Sequence, residues 1–225
     1  DERLMSFGIE RRPIADGAHD RVLPAEADDR LALVVAGGGE NFFLAVVEPP
    51  LAIAPAQINP REYVFVVDIS GSMSGDKMEQ ARTALRQALG TLTARDRFRL
   101  IAFSSGVRPF RDGYTAATPA NLRQAREFVD GLNATGGTNL QGALDAALAE
   151  RADAERMSLI FFLTDGLPSV GENAPDKIAA SAAGRIGRHR IFTFGVGHDV
   201  NTYLLDRLAV EGRGSATYVA PGADV

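Results

Sequence analysis

From Tyr63 onward, short apolar runs alternate with segments whose apolar residues recur every three or four positions, the signature of strands alternating with helices. Tyr63–Val67 is almost unbroken hydrophobic, the mark of a central parallel strand buried on both faces. Met78, Ala81, Leu85, Ala88, Leu89 and Leu92 follow at helical spacing, and Asp76 with Glu79 ahead of them reads as a capping pair. Phe98, Leu100, Ala102 and Phe103 form a second strand. The Ser104-Ser105-Gly106 turn is too short for a parallel crossover, so Val107–Phe110 is expected to be an antiparallel edge strand. Thr118-Pro119 is an N-cap and first-turn pair that starts a helix on Leu122, Ala125, Phe128, Val129 and Leu132. Leu140, Ala143, Leu144, Ala147 and Leu148 mark the next helix. Leu159–Leu163 and Ile191–Val196 are two more buried strands, with a helix from about Pro175 to Ile186 between them. Tyr203, Leu204, Leu208 and Ala209 face the core from a last helix, and Ala216–Val219 closes as a short strand. The alternation predicts an α/β fold: a doubly wound, mostly parallel sheet with helices on both faces and one antiparallel edge strand.

Residues 1–60 have a different pattern. Leu4–Ile9, Leu31–Val35 and Phe42–Val47 are short apolar or alternating runs, and Gly37-Gly38-Gly39-Glu40-Asn41 between the last two is a hairpin signal. Asp16 to Asp29 is polar and acidic, hence loop. Pro49-Pro50, Pro55 and Pro60 punctuate a connection that cannot be helical. The expected organisation is a small N-terminal β extension with a proline-rich linker over 1–60 and the α/β domain over 61–225.

Composition narrows the function classes. A formal net charge of −5 and the lack of any basic run argue against nucleic acid as a partner. The chain has no cysteine, which excludes disulfides, thiolate metal sites and cysteine nucleophiles. No apolar run reaches the ~18 residues of a membrane span, so direct membrane insertion is not expected. The chain opens Asp1-Glu2-Arg3 without methionine, and is expected to be a processed piece of a longer protein.

The chemistry concentrates where apolar strands end. Tyr63–Val67 stops abruptly at Asp68-Ile69-Ser70-Gly71-Ser72, and side chains on alternate positions of an extended segment can converge, so Asp68, Ser70 and Ser72 can share one point. Leu159–Leu163 ends in Thr164-Asp165-Gly166. Between them in sequence, Gly136-Gly137-Thr138-Asn139 opens a helix, with glycines that permit close approach and a hydroxyl on Thr138. In open α/β sheets, binding groups gather at the carboxyl ends of strands near the point where strand order reverses. Two carboxylates balance a divalent cation, and three hydroxyls add oxygen ligands without charge, a set suited to a hard cation that keeps some water.

Asp68-x-Ser70-x-Ser72 with Thr138 and Asp165 resembles the metal-ion-dependent adhesion site of the von Willebrand factor A domain family, whose three sequence pieces stand here in the family's order. The resemblance covers about Arg61 to Val219. The flanks Val66–Met73 and Phe162–Pro168, together with Asn41–Pro50, further resemble the inter-α-trypsin-inhibitor heavy-chain branch. In that branch an inter-α-trypsin (VIT) domain commonly precedes the A domain, and residues 1–60 are long enough only for its trailing strands or a connecting extension. The resemblance implies Mg²⁺, with Mn²⁺ or Ca²⁺ as alternatives. Ser70, Ser72 and Thr138 would bind directly in some states, Asp68 and Asp165 directly or through water, and a partner protein's Asp or Glu would take the sixth position. It also implies an extracytoplasmic, secreted or cell-surface setting, and in many A domains the last helix, here about Asn201–Glu211, moves with metal geometry.

Other signals carry less. Gly195-Val196-Gly197 lacks the third glycine of a dinucleotide fingerprint and reads as a tight turn, and Met73 breaks the nucleophile-elbow pattern around Ser72 and Ser74. His19, His189 and His198 have no metal-protease spacing and are expected on surfaces or loops. Glu172 and Asp199 are expected on loops near the same rim. The leading function is therefore a non-enzymatic, metal-dependent protein-binding module. Two rivals stand beside it: an internal latch in which Glu48 or Glu40 ligates the metal, and a hydrolase in which the metal activates water. The partner's identity and the oligomeric state are not written in these motifs.

Overall fold

The computed structural model describes residues 30–36, 42–48, 58–197 and 200–220. The chain divides into two compact units, Asp1–Ile58 and Asn59–Val225. In the first, β1 (Arg30–Ala36) and β2 (Phe42–Glu48) pair antiparallel with Arg30 opposite Glu48 and Ala36 opposite Phe42, the hairpin its alternating pattern predicts. The Leu4–Ile9 run, the acidic 16–29 segment, Glu40 and the prolines at 49, 50 and 55 lie outside the described residues.

The second unit runs β3 (Arg61–Asp68), α1 (Asp76–Gly90), β4 (Arg97–Phe103), β5 (Val107–Pro109), β6 (Thr115–Ala116), α2 (Pro119–Asp130), α3 (Leu140–Ala147), β7 (Met157–Thr164), α4 (Pro175–Ala183), β8 (Arg190–Val196), α5 (Thr202–Glu211) and β9 (Ala216–Val219). Its strands order as β5-β4-β3-β7-β8-β9, with β6 also on β4. The β3, β4, β7, β8 and β9 pairings are parallel, and the two short strands after β4 are antiparallel to it. After β3 the chain steps to one side to lay down β4, then crosses to the other side of β3 for β7. The reversal of strand order therefore falls between β3 and β7, where a doubly wound sheet opens a crevice at its carboxyl edge.

The central strand behaves as its unbroken apolar run requires. Val64 and Val66 join Ile101, Phe103, Ile160 and Phe162 against α3, α4 and α5, while Tyr63, Phe65 and Val67 join Phe98, Leu100 and Ala102 against α1 and α2. The two neighbours to its other side differ from the expectation. In β7, Ser158, Ile160, Phe162 and Thr164 are buried, but Leu159, Phe161 and Leu163 on the opposite face are only half-buried. One helix is ~10 Å wide and strands lie ~4.8 Å apart, so α1 covers about two strands. Beyond it, Phe65, Phe161, Leu163, Phe194 and Val219 wall an apolar groove of about 220 Å³. Phe161 is held there by stacking on Phe65 at 5.7 Å and Phe192 at 5.4 Å.

Most local signals are followed. Thr118 caps α2 by accepting the Asn121 N–H, with Pro119 in the first turn. Four expectations are corrected. Tyr203 does not face the core: it is 54% exposed with its hydroxyl donating to Asp176 Oδ1, and Leu205 is buried instead. Asp76 does not cap α1; it is the first helical residue after Gly75, and Glu79 instead pairs with Arg82 and Arg86. The fourth helix stops at Ala183 because Gly184 ends it, leaving Ile186 buried in the following turn. His189 is neither on the surface nor in an open loop: it is 1% exposed, with Nδ1 2.6 Å from the Ser158 hydroxyl and Nε2 3.0 Å from the Glu150 carbonyl, beneath the amino ends of β7 and β8. His19, His198 and Asp199 lie outside the described residues.

Candidate metal centre

Backbone hydrogen bonds build the carboxyl edge of β3 and β7. Ile69 N–H donates to the Phe103 carbonyl, tying the end of β3 to β4. Thr135 N–H donates to Ile69, and Gly71 N–H to the Gly136 carbonyl at 2.9 Å, so the Gly136–Asn139 loop lies on the Asp68–Ser72 turn. Asn139 N–H donates to Ser104, and Ser169 and Val170 N–H both donate to Thr138, locking the loops after β3, β4 and β7 around one point. Both glycines ahead of Thr138 are required here. A Cβ on Gly136, whose φ is +80°, would meet Ser105 Oγ at 2.9 Å, and one on Gly137 would meet Val170 Cγ2 at 2.7 Å.

On this frame four of the five candidate residues are linked by hydrogen bonds. Asp68 is fully buried, its Oδ1 accepting the Ser70 N–H at 2.8 Å and its Oδ2 the Thr164 hydroxyl at 2.6 Å. Ser70 Oγ and Ser72 Oγ are 3.0 Å apart, and the Ser72 hydroxyl donates to Asp165 Oδ1 at 2.8 Å. Thr138 joins from the third loop: a Cβ built on Gly166 would sit 3.6 Å from Ser72 Oγ and 3.7 Å from Thr138 Oγ1, so both hydroxyls flank the same glycine. Asp68, Ser70, Thr138 and Asp165 are all buried, whereas Ser72 is exposed.

Electrostatics explains what such a cluster needs. Burial pushes the Asp68 carboxyl above its ordinary value; the Thr164 and Ser70 hydrogen bonds pull it back, and the neighbouring Asp165 charge pushes it further up. A divalent cation beside the pair would offset both the burial and the mutual repulsion. Among the described residues no group of three or more His, Cys, Asp or Glu side chains comes together. The candidate donors are two carboxylates and three hydroxyls, all hard oxygens, a set that fits a hard divalent cation such as Mg²⁺ or Ca²⁺.

Two neighbours of the cluster are not among the five candidate residues. Thr164 supplies the hydroxyl that holds Asp68. Lys77, the second residue of α1, places Nζ 2.6 Å from Asp165 Oδ2. In sequence Lys77 is not singled out: it is one of two lysines, and both stand in the first turn of a helix. Glu172, expected near the rim, accepts N–H bonds from Asn173 and Ala174 and pairs with Lys177, a local turn role.

The fold, the switch-point cluster and the sequence agree on a class. The model for the von Willebrand factor type A domain matches residues 61–218, and the chain belongs to that family, which includes metal-dependent protein-binding modules. Within it the chain is of the inter-alpha-trypsin inhibitor heavy-chain type: it is 38% identical over 174 residues to heavy chain H4 of Homo sapiens and 36% to heavy chain H3 of Mesocricetus auratus. Each alignment takes in 73% of this chain, but only 19% of H4 and 20% of H3, so the chain spans about a fifth of the heavy chains it matches. Among solved structures, a von Willebrand factor type A protein from Catenulispora acidiphila aligns with a TM-score of 0.65 at 24% identity, over 88% of this chain and 43% of that one. Proximal thread matrix protein 1 from the mussel byssus, in a structure described as having a zinc-occupied MIDAS motif, aligns at 0.57 and 16% identity over 72% of this chain and 42% of that one. These two likenesses carry the fold alone.

Proposed function

We propose that this A domain is a metal-dependent protein-binding module, in which Asp68, Ser70, Ser72, Thr138 and Asp165 hold a divalent cation, Mg²⁺ in the first instance, that captures a carboxylate of a partner protein. The observation that carries the reading is the Ser70–Ser72–Asp165 hydroxyl–carboxylate chain, which joins the ends of β3 and β7 at 3.0 and 2.8 Å. The bound ion would supply a partly unsatisfied positive centre. The protein's residues orient it: Thr164 and the Ser70 N–H fix the Asp68 carboxylate, and the Gly136–Gly137 turn brings Thr138 to the site. The mussel protein, which shares the fold alone, is described with zinc in its MIDAS motif, in keeping with a metal role here.

Binding is favoured over hydrolysis because no further acid or base joins the two carboxylates: among the described residues no group of three or more His, Cys, Asp or Glu side chains comes together. Leu167, two residues beyond Asp165 and 59% exposed, gives the rim an apolar contact of the kind a protein partner uses. The setting we infer is extracytoplasmic, on the strength of the heavy-chain likeness; among the described residues no helix is long and apolar enough to cross a membrane. The test is peptide selection from a random display library on the immobilised chain in millimolar Mg²⁺. The expected outcome is enrichment of Asp- or Glu-bearing peptides that are released by EDTA and not recovered on a Ser70→Ala chain. Selected peptides that stay bound in EDTA would overturn the mechanism.

A further inference from the structure

We propose that Lys77 is the internal counter-cation of this site, which a divalent ion must displace from Asp165 in order to bind. The proposal rests on the metal-site reading above. Lys77 Nζ lies 2.6 Å from Asp165 Oδ2, and the Asp165 side chain is fully buried while that of Lys77 is 27% exposed. The two Asp165 oxygens are thus divided: one faces Ser72 and the hydroxyl cluster, and the other carries the ammonium.

Two features bear on the contact. The first is its cost to the helix. Asp76 and Glu79 in the first turn of α1 suit its positive end, whereas Lys77 between them opposes it. A cation there is compensated by Asp165 across the site, from the end of another strand. The second is the space reserved for it. Gly197, at the end of β8 with φ +98°, faces the Lys77 stem; a Cβ there would lie 3.1 Å from Cε and 3.2 Å from Nζ. Gly197, at the tight turn closing the Gly195-Val196-Gly197 motif, thereby leaves room for the ammonium to reach Asp165.

The consequence is a site of tuned affinity. With Asp68 and Asp165 ionised and Lys77 charged, the cluster presents a net charge of about −1 to an incoming ion instead of about −2, and the ion also competes with an existing pair. Metal affinity is lowered. An ammonium that stays near the loaded site then adds to the positive field that attracts a partner carboxylate.

The test is calorimetric titration of Mg²⁺ into the 225-residue chain and its Lys77→Met and Lys77→Arg variants. Methionine keeps the four-atom unbranched stem and loses the ammonium, and Lys77→Met is expected to bind Mg²⁺ roughly tenfold tighter or more, the scale of a nearby unit charge at intermediate effective dielectric. Lys77→Arg keeps the charge and is expected to stay close to the parent. Equal or weaker binding by Lys77→Met beside a parent that binds Mg²⁺ overturns this inference and leaves the metal reading standing. No binding by either overturns both. Should Lys77→Met fail to fold, the parent chain itself decides. With only Lys77 and Lys177 to label, Mg²⁺ should accelerate acylation of Lys77 and leave the exposed Lys177 unchanged, as read by mass spectrometry. A Lys77 rate that does not rise with Mg²⁺ overturns the displacement.

Discussion

Replacing Asp68 separates the stability of the site from its chemistry. The side chain is fully buried and accepts two hydrogen bonds, at 2.8 Å from the Ser70 N–H and 2.6 Å from the Thr164 hydroxyl. Asp68→Ala leaves both donors without their acceptor, at about 1–3 kcal/mol each, for a total loss of about 2–6 kcal/mol. Asp68→Asn keeps the shape. Its Oδ1 retains the Ser70 N–H, its amide nitrogen donates to Thr164 Oγ1, and the buried charge next to Asp165 is gone, so the expected change is zero to about +1 kcal/mol. For a chain of this size each kcal/mol moves Tm by about 2–4 °C, so in EDTA Asp68→Ala should melt about 4–24 °C below the parent and Asp68→Asn at or slightly above it. In saturating Mg²⁺ the order of parent and Asn variant should invert, since only the parent gains from the ion. Burial raises the folded Asp68 value above 3.8, so its stabilisation is present below the unfolded value and lost as pH rises through the folded one; Asp68→Asn removes that slope in EDTA. The assay is thermal unfolding followed by circular dichroism. The reasoning is refuted if Asp68→Asn in EDTA loses as much as Asp68→Ala, or if it retains the Mg²⁺ response.

The remaining predictions concern the frame and the core. Gly137→Ala puts a Cβ 2.7 Å from Val170 Cγ2 and so displaces Thr138; the Mg²⁺-induced rise in Tm should fall by more than half while the circular dichroism spectrum is unchanged. Phe162→Ala empties a fully buried position whose ring lies 5.5 Å from that of Phe103, and should cost about 3–5 kcal/mol in urea unfolding. Burial lowers the His189 value below 6.5, and the neutral ring accepts from Ser158 and donates to Glu150, so folding stability should be full above pH 6.5 and fall as pH drops below it towards the folded value. Denaturant midpoints across that range should show a slope that His189→Gln flattens.

Most of the fold and the five candidate residues are legible in the sequence because each carries a local signal. The apolar run ending at Asp68 marks a central strand, and the Gly136-Gly137-Thr138 turn stands out because only small residues pass between Ser105 and Val170. What is not legible depends on contacts between elements. The apolar run of β7 reads as a strand buried on both faces, because periodicity says nothing about how many helices cover each face. His189 and Ser158 are distant in sequence, and only the parallel pairing of β7 with β8 brings them together. Lys77 reads as one more helix-surface charge until the fold supplies its partner, Asp165, 88 residues away.

The central claim is that hydroxyls and carboxylates from three loops hold one divalent ion. Calorimetric titration of Mg²⁺ into the chain tests it most directly. Saturable binding is expected with one ion per chain, lost in Ser70→Ala and in Thr138→Val, both of which should remain folded. No saturable binding, or binding that survives both substitutions, would contradict it.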